Sequence, residues 1–132
     1  INAHDDMTQF DGQEVVKERM ILMQKLNKNM RAANTLIKDN KLDSELIDIF
    51  SHIENIFKIY PSLFPDDSFT GKTKASTDII DNRSAFNAIA LEHQENTNLA
   101  IEAVKSESTE LVAEYFQKLY SSCKSCHSRF RN

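Results

Sequence analysis

Apolar residues recur with a helical period over four stretches of this 132-residue chain, and turn residues separate them. In the first, Val16, Met20, Met23, Met30, Ala33 and Ile37 fall at helical steps, with Leu26 beside them. This predicts a helix from about Gln13, capped by Asp11 or Thr8 and closed at Asn40. The polar residues 1–10 ahead of it read as a frayed start. Asp43 or Ser44 opens a second helix, whose face is Leu46, Ile49, Phe50, Ile53, Ile56, Phe57 and Tyr60. Pro61 stops it, because proline lacks the donor and disfavours helix at the residue before it.

Residues 61–76 form one long connection, with Pro65, Asp66, Asp67 and Gly71 as turn residues. A third helix is expected from Asp78 or Asp81 to about Lys105, with the stripe Phe86, Ile89, Ala90, His93, Thr97, Ala100, Ile101 and Val104. Ser106 to Thr109 breaks the pattern and supplies a new cap. The last helix carries Leu111, Val112, Tyr115, Phe116, Leu119, Tyr120 and Cys123. Four helices with two short links and one long one predict an all-α, antiparallel four-helix bundle, residues 1–132 forming one domain. Met30, Phe50, Phe57 and Phe116 need only packing to account for them.

Composition agrees with helices: two Gly and two Pro leave little material for turns. A net charge of −4 with no basic stripe argues against nucleic acid. No apolar run approaches the roughly 18 residues of a membrane span. The acidic residues are spread over solvated faces, and no Glu-x-x-His pair of the di-iron bundles is present. With two glycines there is no phosphate loop, so an enzyme is not expected.

The candidate chemistry is concentrated in Cys123-Lys124-Ser125-Cys126-His127, which holds the only two cysteines of the chain. Cys-x-x-Cys-His is the attachment signature of a c-type haem. Two thiols on one side of a helical turn suit the two vinyl groups of a single porphyrin, and the next imidazole suits the iron. A disulfide is disfavoured by helical geometry. A thioredoxin-like pair would follow a strand, and none is predicted here. Zinc would need a fourth ligand. His4, His52 and His93 are scattered singles that read as surface or satisfied core histidines. The chain begins at Ile1 and shows no signal-like segment. Because thioether attachment takes place outside the bacterial cytoplasm, the expectation is an exported, periplasmic protein whose signal peptide has been removed.

Five residues follow His127, and none is Met. The small common cytochromes c differ, carrying the motif near the N-terminus and a methionine ligand downstream. A bundle with haem c on its C-terminal helix resembles the class II cytochromes c, the cytochrome c′ family. Arg19-Met20-Ile-Leu-Met23-Gln-Lys resembles that family's first helix. Pro61-Ser-Leu-Phe-Pro65 is similar to its Leu-Phe-Pro stretch, and Cys-Lys-Ser-Cys-His-Ser-Arg-Phe-Arg is similar to its ending. Ile80 stands where relatives often carry Trp.

The resemblance implies one covalent haem c per chain on Cys123 and Cys126, with His127 as proximal ligand. It places Met23 on the distal side, facing iron. Arg131, four residues past His127, lies near the proximal side if the helix continues. Arg19 lies near the propionates, joined by Lys74 from the loop. Met20, about a turn displaced on the same general face, is counted with the residues around the cofactor.

Two functional classes follow from one coordination site. In the preferred reading Met23 ligates iron and the protein carries electrons between redox partner proteins. In the alternative, Met23 only packs, and a five-coordinate haem binds nitric oxide or carbon monoxide. A third class is a helical adaptor with incidental cysteines. Lys118, Lys124, Arg129 and Arg131 crowd the haem-bearing end and suit steering of an acidic redox partner. A homodimer is a further expectation of the resemblance.

Overall fold

The computed structural model describes residues 12–71 and 73–132. The expectations placed on residues 1–11, namely the frayed start, the caps at Thr8 and Asp11, and His4, lie outside the described residues. Four long helices form the bundle: α1 (Gly12–Lys38), α2 (Ser44–Ile59), α4 (Arg83–Lys105) and α5 (Thr109–Phe130). Between α2 and α4 lie a 3₁₀ turn, Tyr60–Leu63, and a single-turn helix α3 (Asp78–Asp81). α1 packs chiefly on α2, α2 on α4, and α4 on α5. The short α1–α2 and α4–α5 links make those neighbours antiparallel. The architecture is the all-α, antiparallel four-helix bundle expected.

Helix boundaries follow local chemistry. Asp43 caps α2 by accepting from the Glu45 N–H, and Ser108 caps α5 by accepting from the Leu111 N–H. α1 ends with Asn40 at φ 55°, the Lys41 N–H reaching the Leu36 carbonyl and the Asn40 N–H the Ile37 carbonyl. That is a Schellman ending. The end of α4 repeats it, with Glu107 at φ 56° and Ser108 bonded to the Ala103 carbonyl. The third predicted helix is divided. Asn82, at φ −130° and ψ 40°, separates α3 from α4.

The main core is built from Leu26, Ala33, Leu46, Phe50, Ile53, Ile101, Val104, Val112 and Leu119. Phe50, Leu46 and Ile53 have no exposed surface, and truncating such a side chain to Ala costs about 2–5 kcal/mol. A second, smaller cluster joins Phe64, Ile79, Phe86 and Phe130 near the crossover. In α1 the inward face differs from the expected stripe. Arg19 is 3% exposed, whereas Met20 is 51% exposed. The inner face steps through Val16, Arg19, Met23, Leu26, Met30 and Ala33, alternate three- and four-residue steps that leave Met20 outside. On α5, Leu111 is likewise exposed, and Tyr120 is half-exposed at the cleft described below.

The crossover is not a free loop. Arg19 Nη1 donates to the Leu63 carbonyl at 3.0 Å and to Ser68 Oγ at 2.7 Å. Its Nη2 donates to the Ser68 carbonyl and to Thr73 Oγ1, both at 2.9 Å. The guanidinium also lies over the Phe64 ring, 4.3 Å from its centroid. Gly71 turns at φ 78° beside the Gln13 side chain, where a Cβ would stand 2.6 Å from the amide nitrogen. At its far end the loop is tied to α5, with the Ser76 N–H on the Phe130 carbonyl (2.8 Å) and the Asn132 N–H on the Lys74 carbonyl (2.6 Å). Ala75 and Arg131 form an isolated antiparallel bridge there.

Candidate functional site

Cys123, Cys126 and His127 lie in the last two turns of α5, where steps of three and four put them on one helix face. Both cysteines are free and half-buried. Cys123 packs against the main core and Cys126 against the smaller aromatic cluster. The face between those clusters opens into a cleft that separates α5 from α1.

The inner part of the cleft is a cavity of about 230 Å³. Met23 and Met30 wall it from α1, Phe57 from α2, Phe86 and His93 from α4, and Cys123, Cys126 and His127 from α5. An outer part of about 450 Å³ is walled by Arg19, Met20, Met23, Lys74, Cys126, His127 and Arg131. Met23, Asn27, Tyr60, Phe86, Cys126 and His127 border both parts, so the two are continuous. A cleft of this size is in the range of small-molecule and cofactor sites. The residues that the sequence places around the cofactor, Cys123, Cys126, His127, Met23, Arg19, Met20, Lys74 and Arg131, all border it.

Several of them are held differently from expectation. The four Arg19 hydrogen bonds go to the crossover, so its guanidinium is a clamp on the loop and not a free cation beside the cleft. Burial pushes the Arg19 pKa down, with Tyr60 opposing. The helix does not continue to Arg131. α5 ends at Phe130, and Arg131 is extended, at φ −124° and ψ 133°, in its bridge to Ala75. It still borders the cleft beside His127, and its charge adds to burial in lowering the His127 pKa. Of the basic residues at this end, Lys118 pairs with Glu114 at 3.7 Å. Lys124 and Arg129 lie over the rings of Tyr120 and Phe130.

The electrostatics favour neutral groups. Burial, then the neighbouring Cys126, pushes the Cys123 thiol up to about 11, and burial raises Cys126 as well. Lowering of the His127 pKa keeps its imidazole neutral, with a lone pair available to a metal. Among the described residues no three His, Cys, Asp or Glu side chains converge on a bare metal ion.

His93, expected as a surface or satisfied core histidine, is a core residue, 2% exposed. Its Nδ1 lies 2.7 Å from the Ile89 carbonyl, and the ring also meets the Ser122 backbone carbonyl. The ring stacks on Phe57 at 4.4 Å between centroids. The apolar stripe of α4 placed His93 inside. An apolar cleft bordered by two thiols and a neutral imidazole has the donor set that a c-type haem needs.

The profile of the family described as cytochrome c′ matches residues 14–131. Among solved structures, a cytochrome c prime from Shewanella frigidimarina superposes with a TM-score of 0.82 at 20% identity, covering 92% of this chain and 97% of that one. A cytochrome c′ described as having an unusual ligand-controlled dimer dissociation is 19% identical, with a TM-score of 0.82 and the same coverages of 92% and 97%. The nitric oxide complex of a cytochrome c prime variant from Alcaligenes xylosoxidans is 15% identical, with a TM-score of 0.81, again over 92% of this chain and 97% of that one. No curated protein sequence matches. With nearly the whole helical chain matched by the profile, and the cleft built around its Cys-x-x-Cys-His turn, this chain belongs to the cytochrome c′ family, whose members imply haem c.

Proposed function

We propose that this chain is a periplasmic haem c protein that binds diatomic gases, nitric oxide and carbon monoxide, at an open sixth position of the iron. The observation that carries this reading is the place of Met23. Its side chain packs against the main core together with Leu22 and Met30, and it borders the cleft as an apolar wall. A flexible thioether filling such a gap needs no bond to metal. The nitric oxide complex of the Alcaligenes relative supports the same chemistry.

The residues divide the work. Cys123 and Cys126 hold the ring through thioethers, and His127 supplies the proximal imidazole. Met23 closes the distal side by bulk, excluding water and large ligands. Lys74 and Arg131 border the outer cleft, where they would offset the charge of the haem propionates. Haem, when bound, supplies an iron that takes a small neutral ligand. Its chemistry needs no catalytic side chain, and none is assigned. The whole chain acts as one domain in this reading. A homodimer belongs to it as well, supported by the dimeric relative described above.

The deciding experiment is the absorption spectrum of the ferrous protein with and without carbon monoxide. A high-spin spectrum that shifts rapidly on adding gas supports the open site. A low-spin spectrum in both oxidation states would place Met23 on iron and return the protein to electron transfer. Acid-acetone extraction checks attachment. Colour that leaves the polypeptide would overturn the thioether assignment.

A further inference from the structure

Acidic residues are missing from the two walls where they face each other across the inner cleft. α1 has no carboxylate between Arg19 and Lys38, and α5 has none from Tyr115 onward, in a chain whose net charge is −4. Cations do stand there. Lys124 is exposed and borders the inner cavity beside Tyr120. On the facing wall, Asn27 borders the same cavity and Gln24 the outer part. Arg31 is four residues past Asn27 and Lys28 four past Gln24, so these two exposed side chains follow the mouth along α1. None of the three pairs with a carboxylate among the described residues.

Lys118 and Arg129, which the sequence groups with Lys124, stand elsewhere. Lys118 pairs with Glu114 and borders a separate groove between α4 and α5. Arg129 is five residues past Lys124, about 140° further round the helix. The cleft opens where α1 and α5 pack little on each other, with Met20 and Tyr120 half-exposed at its edge. An apolar centre rimmed by charge of one sign suits a protein of the opposite sign.

Carbon monoxide binds only ferrous iron, so the function proposed above needs an electron from outside, and both thiols are spent on thioethers. A lipid surface supplies none. A second copy seated here about a two-fold axis would set these cations against themselves.

We propose that Lys28, Arg31 and Lys124 form the docking rim for an acidic one-electron donor protein that seats over the cleft mouth. This rests on the haem reading above. One electron leaves the donor and enters the ferric iron, and no bond is made or broken.

The test uses the haem-loaded protein, with flavodoxin as the acidic donor. Stopped-flow reduction by reduced flavodoxin at low salt is expected to slow about tenfold when Lys28→Gln and Arg31→Gln are combined, and high salt is expected to erase that difference. Combining Lys118→Gln with Arg129→Gln removes the same charge elsewhere and is expected to stay within about twofold of wild type. Equal slowing in both pairs would overturn the rim, because net charge alone then acts. So would a wild-type rate indifferent to salt. Carbodiimide cross-linking to oxidised flavodoxin is expected to join Lys28 and Lys124, and cross-links confined to other lysines would overturn the proposal. Pelleting with phosphatidylglycerol vesicles, or self-association at low salt, that the Lys28→Gln and Arg31→Gln pair abolishes would hand the rim to a membrane or a second copy and defeat it. A ferrous protein that is low spin defeats the open-site reading alone, because the cross-links do not depend on spin state.

Discussion

Arg19 and Ser68 are bonded twice across 49 positions of sequence, Nη1 to the Ser68 hydroxyl and Nη2 to the Ser68 carbonyl. No carboxylate pairs with this buried cation among the described residues. Its charge is satisfied by dipoles and by the Phe64 face. Arg19→Ala strands these acceptors and is expected to cost about 3 kcal/mol. Arg19→Lys is expected to recover less than half of that, because an ammonium cannot span the same fork. Denaturant unfolding of both variants checks the claim, and a loss below about 1 kcal/mol for Ala would count against the clamp.

Met23→Ala separates a wall from a ligand. If Met23 only packs, the variant stays high spin and binds carbon monoxide roughly tenfold faster, equivalent to about 1.4 kcal/mol off the barrier. Stopped-flow mixing measures the rate. A change of spin state on substitution would show that the sulfur had been on iron.

Tyr60 borders both parts of the cleft, and burial pushes its phenol up to about 12 from 10.0. Between those values the unfolded chain has lost the proton and the native state still holds it. Stability therefore falls as pH rises through that window, and the contribution is fully present below about pH 10. Ultraviolet titration is expected to show one phenol ionising near pH 12, a step that Tyr60→Phe removes.

Glu107 is the stronger candidate for a stabilising change. It sits at φ 56°, where a side chain is strained, and its carboxylate is exposed. Glu107→Gly is expected to raise stability by about 0.5–1 kcal/mol. Asn40→Gly, at φ 55°, is expected to gain less because Asn tolerates this region. A thermal melt in which Glu107→Gly is less stable than wild type would refute the argument.

What was legible in the sequence was local. The helical period placed Leu46, Phe50, Ile53 and Phe57 on one buried face, and the caps found at Asp43 and Ser108 fall within the expected Asp43 or Ser44 and Ser106 to Thr109, because capping needs only neighbours. Cys123, Cys126 and His127 read as one site because their spacing is the chemistry. The departures involve distant partners. Arg19 and Met20 are adjacent in sequence, and only the loop 44 to 54 residues away decides which turns inward. The break at Asn82 separates α4 from α3, whose Ile79 belongs to the small aromatic cluster. His93 is buried as its place in the stripe of α4 implies, while its stacking on Phe57 depends on another helix and leaves no trace in the neighbouring residues.

The crossover loop is fastened to both walls of the cleft, to α1 through Gln13 and Arg19 and to α5 through Phe130, Arg131 and Asn132. Those two helices pack mainly on other partners and little on each other. Mechanically the loop is a tie bar, and parting the walls far enough to admit anything large must stretch or release it. The amides of Ser76 and Asn132 then become clocks for that breathing, because their protons exchange with solvent only when the tie lets go. A ligand that enters without slowing their exchange is small enough to pass with the bar fastened.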